Sequence, residues 1–195
     1  MRKASVLTIG GFRPVEDPLA THFGLTPVAL PGESWPVSAG KPLFFVCQLN
    51  LTECPFVPEV VSDIRLLTFF VDMEAGEYDE ENGSNWIVRT YSRLDDLTPL
   101  NIPENSTFKR GFQCRWELVE DHRSYKRNVH RTKVGGYPSE IQAEQWWDLR
   151  DHPDQPQYCL QIDSEEKVGL MWGDRGTVYL ARGAQEHWFL DWQCY

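Results

Sequence analysis

Two segments of this chain carry similar residues in the same order. The first opens on Phe23-Gly24-Leu25-Thr26-Pro27 and ends on Gln48-Leu49-Asn50. The second opens on Val134-Gly135-Gly136-Tyr137-Pro138 and ends on Gln161-Ile162-Asp163. The glycine-to-glutamine spacing is 24 in one and 26 in the other, and a tryptophan (Trp35, Trp146) follows the glycine by 11 residues in both. An apolar run follows each, LLTFFVD and TVYLAR. The offset of 111 to 113 residues reads as a degenerate internal duplication, over about residues 23–72 and 134–181. Gly24, Pro27, Gly135, Gly136 and Pro138 are then structural corners used twice: glycine supplies backbone geometry that other residues resist, and proline fixes the exit.

Between these corners the pattern is that of strands. ASVLTI, PLFFVCQLNL, RLLTFFVDM, NWIVRTYS, YCLQID, VGLMW, TVYLAR and WFLDWQC are short apolar runs bounded by turn residues. FQCRWELVE alternates, with Phe112, Cys114, Trp116 and Leu118 on one face. Helix signals are few. The best is Ser139 to Arg150, where Ser139 and Gln142 fit a capping box and His152-Pro153 closes the run. A shorter helix is expected near Asp17-Pro18. The segment TPLNIPENSTFKR reads as the junction between halves. The expected architecture is α+β, mainly antiparallel β with few helices, its two degenerate halves packed as one domain over residues 1–195.

Composition removes several function classes. Lys plus Arg is 19 against 29 for Asp plus Glu, a net charge of −10, the wrong sign for a general nucleic-acid binder. The cysteines number five and form no Cys-x-x-Cys pair, which argues against a disulfide framework or zinc ribbon and for buried, reduced thiols. No cofactor or metal is expected. No run approaches the ~20 apolar residues of a membrane helix, and no secretion signal is visible, so a cytoplasmic protein is expected. In that setting the Asn-x-Ser/Thr triplets at Asn50, Asn82 and Asn105 are chance matches. The Walker loop and the G-x-S-x-G, H-E-x-x-H and G-x-G-x-x-G signatures are absent, and the five histidines are scattered.

The ordered combination FGLTP…LPGESWP…GKPLFFVCQLNL, KVGGYPSEIQ, YCLQIDSE, MWGDRGTVYL and a terminal WQCY resembles the YwqG-like family, a bacterial domain of unknown function. The resemblance runs from about Phe23 to the end of the chain. It departs at Leu25, where the family's first corner usually has a second glycine. The resemblance implies no established enzymatic activity. It does imply a loose association with the gene neighbourhoods of bacterial toxins, in which small acidic cytosolic proteins act as immunity factors.

Four groups of residues are candidates for function. Gln48, Asn50, Gln161 and Asp163 either line a polar cleft between the halves or tie down neighbouring backbone. In Trp172-Gly173-Asp174-Arg175-Gly176, Asp174 bonds turn amides and Gly176 takes positive φ; alternatively Trp172 stacks on a ligand and Asp174 is an acid at a cleft mouth. Gln142, in the Gly-Gly-x-Pro-x-x-x-Gln run, joins the binding candidates. The acidic loop from Asp72 to Glu81 lacks calcium-loop spacing and reads as a solvated surface or a patch for a basic partner. The basic stretch from Arg123 to Lys133 reads as a solvated linker or a phosphate patch.

The leading expectation is a non-catalytic cytosolic binding protein, an immunity factor that neutralises a basic toxin domain. One alternative is a small-ligand binder with Gln48, Gln161, Asp163 and Trp172 in its cleft. Another is a hydrolase with Asp163 or Asp174 as base.

Overall fold

A computed structural model describes residues 1–11, 16–78, 82–142, 145–146 and 152–195. It is nearly all β. Among the described residues, helix is limited to single 3-10 turns at Leu51–Glu53, Glu59–Val61 and Tyr125–Arg127 and to α-helical Trp146, and no helix is long and apolar enough to cross a membrane. The α component of the expected fold class is thus reduced, among the described residues, to Trp146, inside the expected Ser139–Arg150 helix. Ser139 to Gln142 are irregular backbone, and much of the remaining Ser139–Arg150 helix expectation lies outside the described residues. At Asp17 the chain makes a turn instead of a helix: Asp17 Oδ1 accepts the Leu19 N–H at 2.9 Å, a local bond that competes with helical pairing.

The chain divides into two compact units. The first contains Met1–Leu7, Cys54–Ser62 and Trp116–Tyr195; the second contains Thr8–Glu53 and Asp63–Arg115. The division is not where the sequence suggested, since residues 98–110 lie inside the second unit.

In the first unit β1 (Arg2–Ile9, up to Leu7), β11 (Lys133–Gly135), β12 (Gln157–Asp163), β13 (Thr177–Arg182) and β14 (Trp188–Gln193) pair antiparallel in that order. In the second, the start of β10 (Phe112–Asp121) pairs with β2 (His22–Phe23), followed by β6 (Phe44–Asn50), β7 (Leu66–Val71) and β8 (Trp86–Tyr91). Two minor ladders, β3 (Val28–Ala29) with β9 (Thr98–Pro99) and β4 (Val37–Ser38) with β5 (Lys41–Pro42), complete the second unit.

β7 and β13 are buried at every position, which is why they read as continuous apolar runs with no alternation. In β10 the alternation expected from sequence fails at Leu118, which is 52% exposed. VGLMW forms turns and one isolated bridge, Glu165 with Leu170, not a strand.

The repeat is visible in the register. His22 faces Gln48 and Lys133 faces Gln161; Thr68 faces Gln48 and Tyr179 faces Gln161. The register shifts between Phe45 and Cys47 on β6, and between Tyr158 and Leu160 on β12, at the same distance before each glutamine. A bulge kept at equivalent places is a feature of the fold, not an accident of one strand. All five cysteines are free, with Cys47, Cys114 and Cys159 buried.

Candidate functional site

The two glutamines hold the corners. Gln48 Oε1 accepts the Val28 N–H at 2.9 Å, and its Nε2 donates to the Pro18 and Ala20 carbonyls at 2.8 and 3.0 Å. Gln161 Oε1 accepts the Ser139 N–H at 3.0 Å, and its Nε2 donates to the Arg131 carbonyl at 3.1 Å and to Ser139 Oγ. Val28 and Ser139 each follow the corner proline, and Ala20 and Arg131 each precede the short strand by the same count. Both side chains are fully buried. Each amide spends both its ends on its own unit, which removes the desolvation cost of burying it.

A residue that the sequence reading missed completes this device. Thr21 Oγ1 accepts the Asn50 N–H at 3.0 Å, and Thr132 Oγ1 accepts the Asp163 N–H at 3.0 Å. The signal was present as Thr-His-Phe-Gly and Thr-Lys-Val-Gly. Asn50 and Asp163 then diverge. Asn50 Nδ2 donates to the Leu19 carbonyl at 3.0 Å, whereas Asp163 Oδ1 accepts from Ser164 N and Thr177 Oγ1 at 3.0 and 2.8 Å. Burial pushes the Asp163 carboxyl up from its ordinary value, with the Thr177 hydroxyl opposing. Nearby Glu165 accepts Thr132 Oγ1 at 3.0 Å, and burial pushes its carboxyl up to about 7.

The corners differ where the sequence does. In the first unit Lys133 and Asp121 form a fully buried ion pair, Nζ to Oδ2 2.8 Å. Lys133 Nζ also donates to Asn128 Oδ1 at 3.1 Å and the Val129 carbonyl at 2.7 Å. Asp121 accepts the N–H groups of His122, Val129 and Tyr137, each at 2.9 Å. The expectation that the 123–133 stretch is a solvated linker therefore fails at Lys133. Gly136, at φ +74°, sits so close to Asp121 that an added Cβ would overlap the carboxylate.

In the second unit Leu25 stands at the Gly136 position and does not take positive φ; only Gly24 does, at +66°. His22 stands at the Lys133 position. It is 2% exposed, and neither ring nitrogen makes a hydrogen bond of normal geometry. Burial pulls its pKa down to about 4, offset in part by Thr26 backbone, so the ring is neutral at physiological pH. His22 lines a cavity of about 480 Å³ together with Glu16, Asp17, Pro18, Leu25, Thr26, Pro99 and Gln113. A second cavity, of about 400 Å³, lies in the first unit beside Arg2, Arg123, Tyr137 and Tyr158, with the Arg2 guanidinium 4.5 Å from the Tyr137 ring centre.

The remaining candidates are placed as follows. Gln142 is exposed; its Nε2 donates to the Cys194 carbonyl at 2.6 Å, and its N–H donates to Gln193 Oε1 at 3.1 Å. Trp172 is buried, and its N–H donates to Ser164 Oγ at 3.0 Å. Asp174 is exposed, and its carbonyl accepts the Tyr195 N–H at 3.0 Å. Positive φ in this turn falls on Gly173 (+54°) and Arg175 (+51°), not on Gly176. Gly176 is required for space, because a Cβ there would overlap the Gln193 and Trp172 carbonyl oxygens. The tryptophan echo does not extend to partners: Trp35 Nε1 donates to the Leu43 carbonyl and Trp146 Nε1 to that of Leu190. In the acidic loop Glu74 and Glu77 are exposed, and residues 79–81 lie outside the described residues. Among the described residues no group of three His, Cys, Asp or Glu is placed to hold a metal.

Fold and corners together define a β-rich protein built twice on one glutamine-tied motif. A family model described as a domain of unknown function (DUF1963) matches residues 21–114 and 89–185, and the chain belongs to that family. No curated protein matches it.

Proposed function

We propose that this protein is a cytosolic binding module, of the YwqG-like kind within its family, that neutralises a basic protein partner as an immunity factor does. The observation that carries the reading is the acidic surplus, −10 overall, displayed at exposed positions such as Asp17, Glu53, Asp63, Glu77 and Asp96. A surface of one sign accelerates encounter with a partner of the other. The polar residues of the repeated corners support the same reading, since Gln48, Gln161, Thr21 and Thr132 are spent on the scaffold and leave recognition to the surface.

The test is affinity purification of the tagged protein from its own host at low and moderate salt, followed by association kinetics with whatever is retained. The reading requires a stoichiometric basic protein whose association rate falls steeply as salt rises. A bait that retains nothing, or a partner whose association rate ignores salt, overturns it.

A further inference from the structure

The Lys133 position and the His22 position are equivalent in the two units, each opposite the corner glutamine and two residues before the corner glycine. One unit fills the place with a buried ammonium. Lys133 brings it on its own four-carbon stem, and Asp121, Asn128 and the Val129 carbonyl receive it. The other unit has a shorter side chain there and a cavity of about 480 Å³ beside it. Asp17 lines that cavity and stands five residues before His22, as Asn128 stands five before Lys133. Glu16 adds a second carboxylate, while Pro18, Leu25 and Pro99 supply apolar wall.

We propose that the cavity beside His22 is a binding site for a small organic ammonium ion carrying an apolar stem. The ligand delivers from outside the cation that Lys133 delivers from within the chain. Its charge is taken by Asp17 and Glu16, one N–H is accepted by the imidazole of His22, and its stem lies on Pro18, Leu25 and Pro99. Three features favour this class. His22 is a buried polar ring whose nitrogens make no hydrogen bond of normal geometry, the Thr26 backbone only partly offsetting its burial, a cost that a ligand donor reduces. Two carboxylates select against anions. The walls are too apolar to favour a bare inorganic ion. The site is independent of the protein-partner reading and stands or falls separately.

The experiment is a titration of the full chain with n-hexylammonium, 1-hexanol and hexanoate at pH 7, followed by the imidazole nitrogen resonances of His22. Saturable binding of the ammonium at least tenfold tighter than of the alcohol, no binding of the carboxylate, and a shift at His22 are expected. Asp17→Asn keeps its turn acceptor but loses the charge, and is expected to weaken the ammonium at least tenfold with no change in Tm. His22→Lys is expected to fold and to lose the site, because it supplies a tethered ammonium. Equal affinity for ammonium and alcohol, unchanged binding in Asp17→Asn, or no ammonium binding at millimolar concentration overturns the proposal. If His22→Lys does not fold, the probe series and Asp17→Asn decide alone.

Discussion

Lys133 Nζ lies 2.8 Å from Asp121 Oδ2, and neither side chain reaches solvent. Every hydrogen of the ammonium has an acceptor and both carboxylate oxygens have N–H donors. A buried pair of this kind is a weak net source of stability, but removing one partner strands the other. Lys133→Met is therefore expected to destabilise by about 3–5 kcal/mol in a urea titration. Burial pulls the lysine down from its ordinary value, with the Asp121 hydrogen bond opposing. Gly136→Ala is expected to break the same pair by displacing the carboxylate, whereas Leu25→Ala, at the equivalent position with no buried ion pair to displace, is expected to be mild.

The corner glutamines are structural clamps, so Gln48→Ala and Gln161→Ala should each be strongly destabilising. Gln48→Ala removes three side-chain hydrogen bonds and Gln161→Ala four, the Tyr158 hydroxyl included, and each strands buried backbone groups, a loss on the order of 2–4 kcal/mol. Thermal melts of the single variants measure this. A variant that keeps the parental Tm would show that the amide is dispensable to the corner.

His22 gives the second unit a pH-dependent stability. Its pKa falls from 6.5 in the unfolded chain to about 4 in the folded one. Its contribution is complete above 6.5 and is lost as pH falls from 6.5 towards 4, because the unfolded chain binds the proton first. The change corresponds to about 3 kcal/mol over that window. His22→Gln is expected to flatten this part of the stability profile, read from urea midpoints at half-unit intervals of pH.

Glu165 has the opposite sign. Its folded carboxyl is raised to about 7, so it favours the folded state most below the unfolded value of 4.5 and loses that advantage as pH rises from 4.5 to 7. Glu165→Gln can still accept the Thr132 hydroxyl. It is expected to be near neutral at pH 4.5 and to stabilise by about 1 kcal/mol at pH 8, the full shift being discounted for partial exposure. Thr132→Val, which removes both the acceptor for Asp163 N–H and the donor to Glu165, should cost about 1–2 kcal/mol at either pH.

Much of the scaffold was legible in the linear chain. The apolar runs became β1, β6, β7, β8, β12, β13 and β14, and the two buried at every position, β7 and β13, are the ones whose apolar character a strand covered on both faces requires. The duplication was legible because a motif that solves a local problem, glycine and proline at a corner with a glutamine to tie it, keeps its spacing. The missing glycine at Leu25 was legible as a departure, and its cause was not. The helix read from Ser139 and Gln142 did not form at its described start, because Ser139 is taken up by Gln161 and Tyr179, partners 22 and 40 residues away. Local capping propensity yields when a long-range partner claims the same atoms.

What the sequence determined by itself was therefore periodic or local: strand runs, corners, charge and the repeat offset. Tertiary structure decided which polar residues meet. Nothing in the sequence pairs Lys133 with Asp121, or leaves the His22 nitrogens without a hydrogen bond of normal geometry, because hydrogen-bond satisfaction is settled in space between atoms that the chain separates. The same holds for Gly176, whose need is room beneath Gln193 and Trp172, not a special φ. Spacing can carry a motif, but burial decides whether its polar atoms support the scaffold or remain open to a ligand.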